Sequence, residues 1–134
     1  MKNIIVNKGV MIVDDEPDVL ISIKTVLEQQ NYNIITVTNG LECLKEIEKG
    51  FRGVILMDIM MPMMDGWHTI NQIIKKGYTK DVAIIIITGK GTKEYQKLSQ
   101  LGSYIYDYLT KPINIEQIIA SVEACNKNLF SKNT

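Results

Sequence analysis

Five polar residues stand at or just after the ends of apolar runs that have the length of buried strands. In chain order they are Asp14, Asp15, Asp58, Thr88 and Lys111. In a parallel sheet the carboxyl ends of neighbouring strands meet at one edge, where ligands bind. The sequence therefore predicts that these five side chains lie together in one polar site.

The residue types in this set favour phosphoryl chemistry. Three carboxylates in one place repel one another, and they remain ionised together at neutral pH when a cation lies among them. Oxygen ligands favour Mg²⁺ or a similar hard ion such as Mn²⁺. A lysine can then neutralise a second anion and a threonine can donate to it, which suits a phosphoryl group. Phosphoryl transfer needs mainly positioning and charge neutralisation, so the set requires no additional base.

The elements that position these residues follow from the hydrophobic pattern. Apolar runs alternate with segments in which apolar residues recur every three or four positions, which predicts an α/β fold with crossover helices. Pro17 suits the first turn of the first helix, and Asn39 and Asn114 suit the caps of two others. A fourth, weaker helix carries Tyr95, Leu98 and Leu101. The predicted strands lie within residues 10–13, 34–37, 54–57, 82–87 and 104–109.

Five strands alternating with five helices predict a doubly wound parallel sheet of the flavodoxin-like type, with strand order 2-1-3-4-5. The length of 134 residues and the 46% hydrophobic content suit one domain. Basic and acidic residues both total 15, so the net charge is +0 and nucleic acid is not an expected partner.

The remaining composition predicts a cytoplasmic protein without membrane insertion. The longest apolar run, residues 82–87, is too short to cross a bilayer, and the first residues lack the pattern of a signal peptide. Cys43 and Cys125 have no metal-binding or redox spacing, which favours buried, reduced thiols.

Four motifs in order resemble a response-regulator receiver domain of two-component signal transduction, as found in single-domain chemotaxis regulators. They are VDDEP at 13–17, LMDIMMPMMDGW at 56–67, IITGK at 86–90 and DYLTKPI at 107–113. The resemblance extends from Val10 to Cys125. It implies an N-terminal extension at 1–9, a receiver domain at 10–126 and a tail at 127–134.

The resemblance also implies a role for each site residue. Asp58 would be the phosphoacceptor, and Lys111 would pair with the phosphoryl group. Thr88 and Tyr108 would be the switch residues, and the Lys111–Pro112 peptide bond would be cis. The ligands of Mg²⁺ or Mn²⁺ would be Asp14, Asp15, Asp58 and the backbone carbonyl of Met60.

The function implied is that of a stand-alone receiver, a signalling domain whose only chemistry is self-catalysed phosphotransfer and autodephosphorylation. It would take its phosphoryl group from a sensor histidine kinase or a phosphotransfer protein. The face formed by helix four, strand five and helix five would then change and signal to a protein partner. The partner's identity, the choice between diffusible signal and relay intermediate, and the choice between a monomer and a phosphorylation-dependent dimer stay open.

Two alternative functions remain at this point. A degenerate receiver would act as a constitutive interaction module, although such a role does not need the complete polar set. A phosphohydrolase that forms an aspartyl-phosphate usually carries a second acid two residues after the nucleophile, where this chain has Met60. Taken singly, the residues also allow ordinary structural roles, such as helix capping by Asp14 and Asp15.

Overall fold

The sheet of the protein, seen in a computed structural model, has the predicted topology. Its five parallel strands follow the order β2-β1-β3-β4-β5. The structure describes residues 9–61, 64–89 and 100–131, the last three of them by backbone alone. The strands are β1 (Gly9–Val13), β2 (Asn33–Val37), β3 (Gly53–Asp58), β4 (Val82–Thr88) and β5 (Ile105–Thr110).

The described residues form four α-helices, which connect or follow the strands. Two short 3-10 helices, Tyr78–Lys80 and Gly102–Tyr104, precede β4 and β5. The predicted fourth helix falls largely outside the described residues, as do Tyr95, Leu98, Pro62 and Met63. The α-helices are α1 (Pro17–Gln29), α2 (Gly40–Glu48), α3 (Gly66–Lys75) and α4 (Ile115–Ser131). The C-terminal helix α4 is the fifth helix of the prediction.

The helix starts carry the predicted local signals. Pro17 is the first residue of α1. Oδ1 of Asn39 accepts a 2.9 Å hydrogen bond from the amide of Glu42, and Oδ1 of Asn114 accepts one of 3.0 Å from the amide of Gln117. Each bond satisfies a backbone donor that lacks a partner within its helix.

Two apolar layers cover the faces of the sheet. Alternate residues of β3 contribute to both layers, since Ile55 and Met57 pack against α2 and α3, whereas Val54 and Leu56 pack on the side of α1 and α4. All six residues of β3 are buried. A strand covered on both faces needs a continuous apolar run rather than an alternating one, which explains the run in the sequence.

The bounds of β5 differ slightly from the prediction. The strand was expected within residues 104–109; Tyr104 belongs to the preceding 3-10 helix, and β5 extends from Ile105 to Thr110. Ile84 pairs with Ile105 and Ile85 pairs with Asp107, which leaves Tyr106 as an extra residue in β5. Such an irregularity shifts the alternation of side chains along the strand.

Candidate functional site

The three predicted acidic residues lie together at the carboxyl edge of the sheet. Val13 pairs with Met57, so the residues that follow them in β1 and β3 become neighbours. Carboxylate oxygens of Asp14, Asp15 and Asp58 all lie within 4.8 Å of one another. Asp14 and Asp58 are buried at 2% and 3% exposure, whereas Asp15 is exposed.

Burial and mutual repulsion destabilise the ionised forms of these carboxyls. Burial raises the pKa of Asp58 to about 6, the charge of Asp14 adds to this effect, and Lys111 and the amide of Met60 oppose it. Burial also raises the pKa of Asp14, against the opposing effects of the Glu16 amide and Lys111. Two adjacent buried carboxyls with raised pKa values, on neighbouring strands, indicate a site that lacks sufficient positive charge of its own.

The donor set fits a hard divalent cation. It consists of oxygen atoms from three carboxylates, one of which is accessible from solvent. The amide of Met60 donates a 3.0 Å hydrogen bond to Oδ1 of Asp58, which orients that carboxylate. The backbone carbonyl of Met60 remains a predicted ligand.

Lys111 forms ion-pair contacts with two of the three carboxylates. Its Nζ lies 3.2 Å from Oδ2 of Asp14 and 3.6 Å from Oδ2 of Asp58. Burial lowers the pKa of Lys111, but the hydrogen bond to Glu16 and the charges of Asp14 and Asp58 outweigh that effect and raise it. The Lys111–Pro112 peptide bond is cis, as predicted.

Thr88 lies on β4, the strand next to that of Asp58, and Tyr108 lies on β5, one strand farther along the sheet. Thr88 is buried at the end of β4, and its carbonyl accepts a 2.7 Å hydrogen bond from the amide of Lys111. Tyr108 is half-buried opposite Ile86, and its ring packs against the apolar layer under α2 and α3. Thr88 thus lies at the carboxyl edge of the sheet, and Tyr108 lies two residues before the end of β5.

Gly66 forms a tight contact beneath the site. Its amide donates a 3.0 Å hydrogen bond to the carbonyl of Ile59. A Cβ atom at this position would lie 2.7 Å from the carbonyl oxygen of Asp58 and 2.8 Å from the Cα of Ile59. The absence of a side chain therefore allows α3 to begin directly against the backbone that carries Asp58.

Sequence reasoning missed two contacts around the site. Oε1 of Glu16 lies 2.8 Å from Nζ of Lys111. Asp107 accepts a 2.6 Å hydrogen bond from Oγ of Ser121, which ties β5 to α4. Glu16 and Asp107 both lie within the recognised motifs, but their partners are distant in the chain and no local pattern identifies them.

The two cysteines take no part in this site. Both are buried and neither forms a disulfide, as predicted. Burial raises the pKa of Cys43 to about 12, and burial with a contribution from Asp107 raises that of Cys125 to about 12. Thiols in such surroundings are poor nucleophiles at neutral pH.

No helix in the described part of the chain combines the length and the apolar character needed to cross a bilayer.

Comparison with known proteins identifies relatives that match most of the chain. Residues 10–123 match the family model of the response regulator receiver domain. Protein PilH of Pseudomonas aeruginosa is 30% identical over 115 residues, which are 86% of this chain and 94% of PilH. The alkaline phosphatase synthesis transcriptional regulatory protein PhoP of Bacillus subtilis is 31% identical over 118 residues, or 88% of this chain and 48% of PhoP.

The chain therefore spans about half the length of some curated relatives, including 51% of the response regulator GtcR of Aneurinibacillus migulanus. Among solved structures, a CheY-like receiver domain protein from Methanospirillum hungatei has a TM-score of 0.85 and 37% identity. That alignment covers 93% of this chain and 99% of the other. The family match covers most of the chain and the fold agrees with it, so the chain belongs to the response regulator receiver domain family of two-component systems.

Proposed function

We propose that this receiver domain accepts a phosphoryl group on Asp58 in a reaction that depends on Mg²⁺ or Mn²⁺. The observation that carries the proposal is the joint position of three carboxylates and Lys111. Asp58 is buried beside Asp14, within 4.8 Å of the other two carboxylates, and its Oδ2 lies 3.6 Å from the Lys111 ammonium. The proposed domain bounds, residues 10–126, contain all of these residues.

Asp14, Asp15 and Asp58, together with the carbonyl of Met60, would hold the cation. When bound, the cation supplies positive charge that keeps Asp58 ionised and neutralises phosphoryl oxygens. The chain's own residues supply the remaining positive charge and the hydrogen bonds to the phosphoryl group. Lys111 pairs with the phosphoryl group, and the hydroxyl of Thr88 donates to one of its oxygens.

The chemical step is a displacement at phosphorus. A carboxylate oxygen of Asp58 forms the new P–O bond while the bond between phosphorus and the donor breaks. With a phosphohistidine donor, the electron pair of the P–N bond stays on the imidazole nitrogen. The donor would be a sensor histidine kinase or a phosphotransfer protein in the cytoplasm.

The proposed output is a conformational change at β5. Added negative charge on Asp58 stabilises a state in which Thr88 and Lys111 close on the phosphoryl group. The half-buried ring of Tyr108 then turns inward. The surface formed by the predicted fourth helix, β5 and α4 binds a partner protein. Either a monomer or a dimer that forms on phosphorylation would present this surface.

The alternatives fit the site less well. A constitutive interaction module does not require two buried carboxyls whose pKa values are raised, since such groups destabilise the fold. For a phosphohydrolase the exposed side chain of Met60 stands where a general acid is needed, and a thioether cannot donate a proton.

Intact-mass spectrometry tests the proposal. The protein is incubated with acetyl phosphate with and without Mg²⁺, beside Asp58→Asn and the surface control Asp65→Asn. Asp65 is an exposed helix cap in the same motif. One added phosphoryl group in the wild type and the control, absent from Asp58→Asn and from samples without a divalent cation, is the expected result. An unmodified wild type would favour the constitutive module.

A further inference from the structure

The shortest ion-pair contact of Lys111 is with a residue outside the predicted site. Its Nζ lies 2.8 Å from Oε1 of Glu16, compared with 3.2 Å for Asp14 and 3.6 Å for Asp58. The side chain of Lys111 is 19% exposed, whereas that of Glu16 is 59% exposed. The ammonium that would neutralise a phosphoryl group is thus bonded to a carboxylate at the rim of the site.

Helix capping does not account for this arrangement. Glu16 occupies the N-cap position of α1, but its side chain makes no capping hydrogen bond. Its backbone amide donates a 2.9 Å hydrogen bond to Oδ1 of Asp14, which fixes Glu16 beside the acidic group. The carboxylate instead reaches across the site to the residue that follows β5.

We propose that Glu16 is a positioning residue that holds Lys111 toward the rim in the unphosphorylated protein and competes with the incoming phosphoryl group for Lys111. This inference rests on the proposed function of Asp58. A lysine ammonium has three donors, and a phosphoryl group offers several charged acceptors at the position of Asp58. Lys111 already faces three carboxylates, so new contacts with phosphoryl oxygens compete with the existing ones, of which the contact with Glu16 is the shortest.

The exposure of Glu16 makes this exchange feasible. When Lys111 leaves, the carboxylate of Glu16 can be hydrated without rearrangement of the fold, whereas the buried carboxylate of Asp14 cannot. Exposed ion pairs alter equilibria by up to about fivefold. Loss of the Glu16 contact should accordingly accelerate phosphorylation by about two- to fivefold.

Two substitutions at position 16 separate the contact from its charge. Glu16→Gln removes the negative charge and weakens the contact. Glu16→Asp keeps the charge but is one methylene shorter, so its carboxylate does not reach Lys111 in the same way. Aspartate is also a favourable N-cap residue, so this variant should fold. Asp18→Asn is the matched control, because it removes one exposed charge from the first turn of the same helix.

The initial rate of phosphorylation by acetyl phosphate at saturating Mg²⁺ is measured for all four proteins by intact-mass spectrometry. An equilibrium readout comes from the affinity for beryllium trifluoride, an anion that mimics the phosphoryl group, at the same Mg²⁺ concentration. Both position-16 variants should react about two- to fivefold faster and bind the anion more tightly by a similar factor, while Asp18→Asn matches the wild type.

If Glu16→Gln accelerated phosphorylation but Glu16→Asp did not, general charge repulsion would explain the effect and the inference would be wrong. The same holds if Asp18→Asn accelerated phosphorylation as much as the position-16 variants. Wild-type rates and affinities in every variant would also overturn it, while leaving the function of Asp58 intact. A wild type that neither accepts the phosphoryl group nor binds the anion would instead refute the proposed function, and the inference with it.

Discussion

Oγ of Ser121 donates a 2.6 Å hydrogen bond to Oδ2 of Asp107. The other oxygen of the same carboxylate accepts a 2.8 Å hydrogen bond from the amide of Tyr108. One side chain thus connects α4 to β5 immediately before the proposed switch residue. Ser121 is buried, so water cannot readily replace this bond.

Ser121→Ala should lower the free energy of unfolding by about 2 kcal/mol, because hydrogen bonds to charged groups contribute about that much and Asp107 would lose a partner. Urea unfolding of the unphosphorylated proteins measures this change in the free energy of unfolding. Ser22→Ala, at an exposed position of α1, is the control for the higher helix propensity of alanine. Equal stabilities of the two variants would show that the bond contributes little.

Gly66→Ala should destabilise the protein by about 1–3 kcal/mol and impair phosphorylation of Asp58, since the new Cβ would overlap the backbone of Asp58 and Ile59. Thermal unfolding and intact-mass spectrometry report the two effects. Gly102→Ala is the matched control, because a Cβ there meets no atom within 4 Å. A stable and fully phosphorylated Gly66→Ala protein would contradict the close approach.

Asp58→Asn should stabilise the protein at neutral pH when no divalent cation is present. The pKa of Asp58 is about 6 in the folded protein, against an ordinary value of 3.8. The folded state therefore retains a proton that the unfolded state has lost, and its stability falls as the pH rises through this interval. The predicted advantage of the variant is near zero at about pH 4 and reaches about 3 kcal/mol above pH 6.

Urea unfolding of both proteins in EDTA between pH 4 and pH 8 tests this dependence. Added Mg²⁺ should stabilise the wild type more than Asp58→Asn, because the cation binds the ionised carboxylate. A stability difference that does not change with pH would show that Asp58 ionises normally in the folded state.

Asp15→Asn should weaken Mg²⁺ binding without a large change in stability. Asp15 is exposed, so its replacement creates neither a cavity nor an unpaired buried group, but it removes one of the three proposed charged oxygen ligands. Calorimetric titration with Mg²⁺ should show roughly tenfold weaker binding, the loss expected for a change close to a metal. Unaltered affinity, equal to that of Asp18→Asn, would exclude Asp15 as a ligand.

The sequence was sufficient to predict the sheet and the grouping of the site residues. In a parallel sheet the chain direction alone brings the ends of β1, β3, β4 and β5 to one edge, so Asp14, Asp58 and Thr88 could be grouped without coordinates. Caps such as Asn39 and Asn114 were predictable because their hydrogen bonds join residues three apart.

Contacts between distant side chains could not be predicted in this way. The bond of Glu16 to Lys111 depends on two rotamers at the ends of long flexible side chains. The extra residue Tyr106 in β5 depends on the pairing with β4, which an alternating pattern of tyrosines does not reveal.

The most direct test of the central claim is chemical identification of the phosphorylated residue. Borohydride reduces an aspartyl phosphate to homoserine, whereas an unmodified aspartate does not react. After incubation with acetyl phosphate and Mg²⁺, followed by borohydride and proteolysis, peptide mass spectrometry should find homoserine at position 58. Homoserine at position 14 or 15, or at no position in a protein that has bound Mg²⁺, would contradict the assignment of Asp58 as the phosphoacceptor.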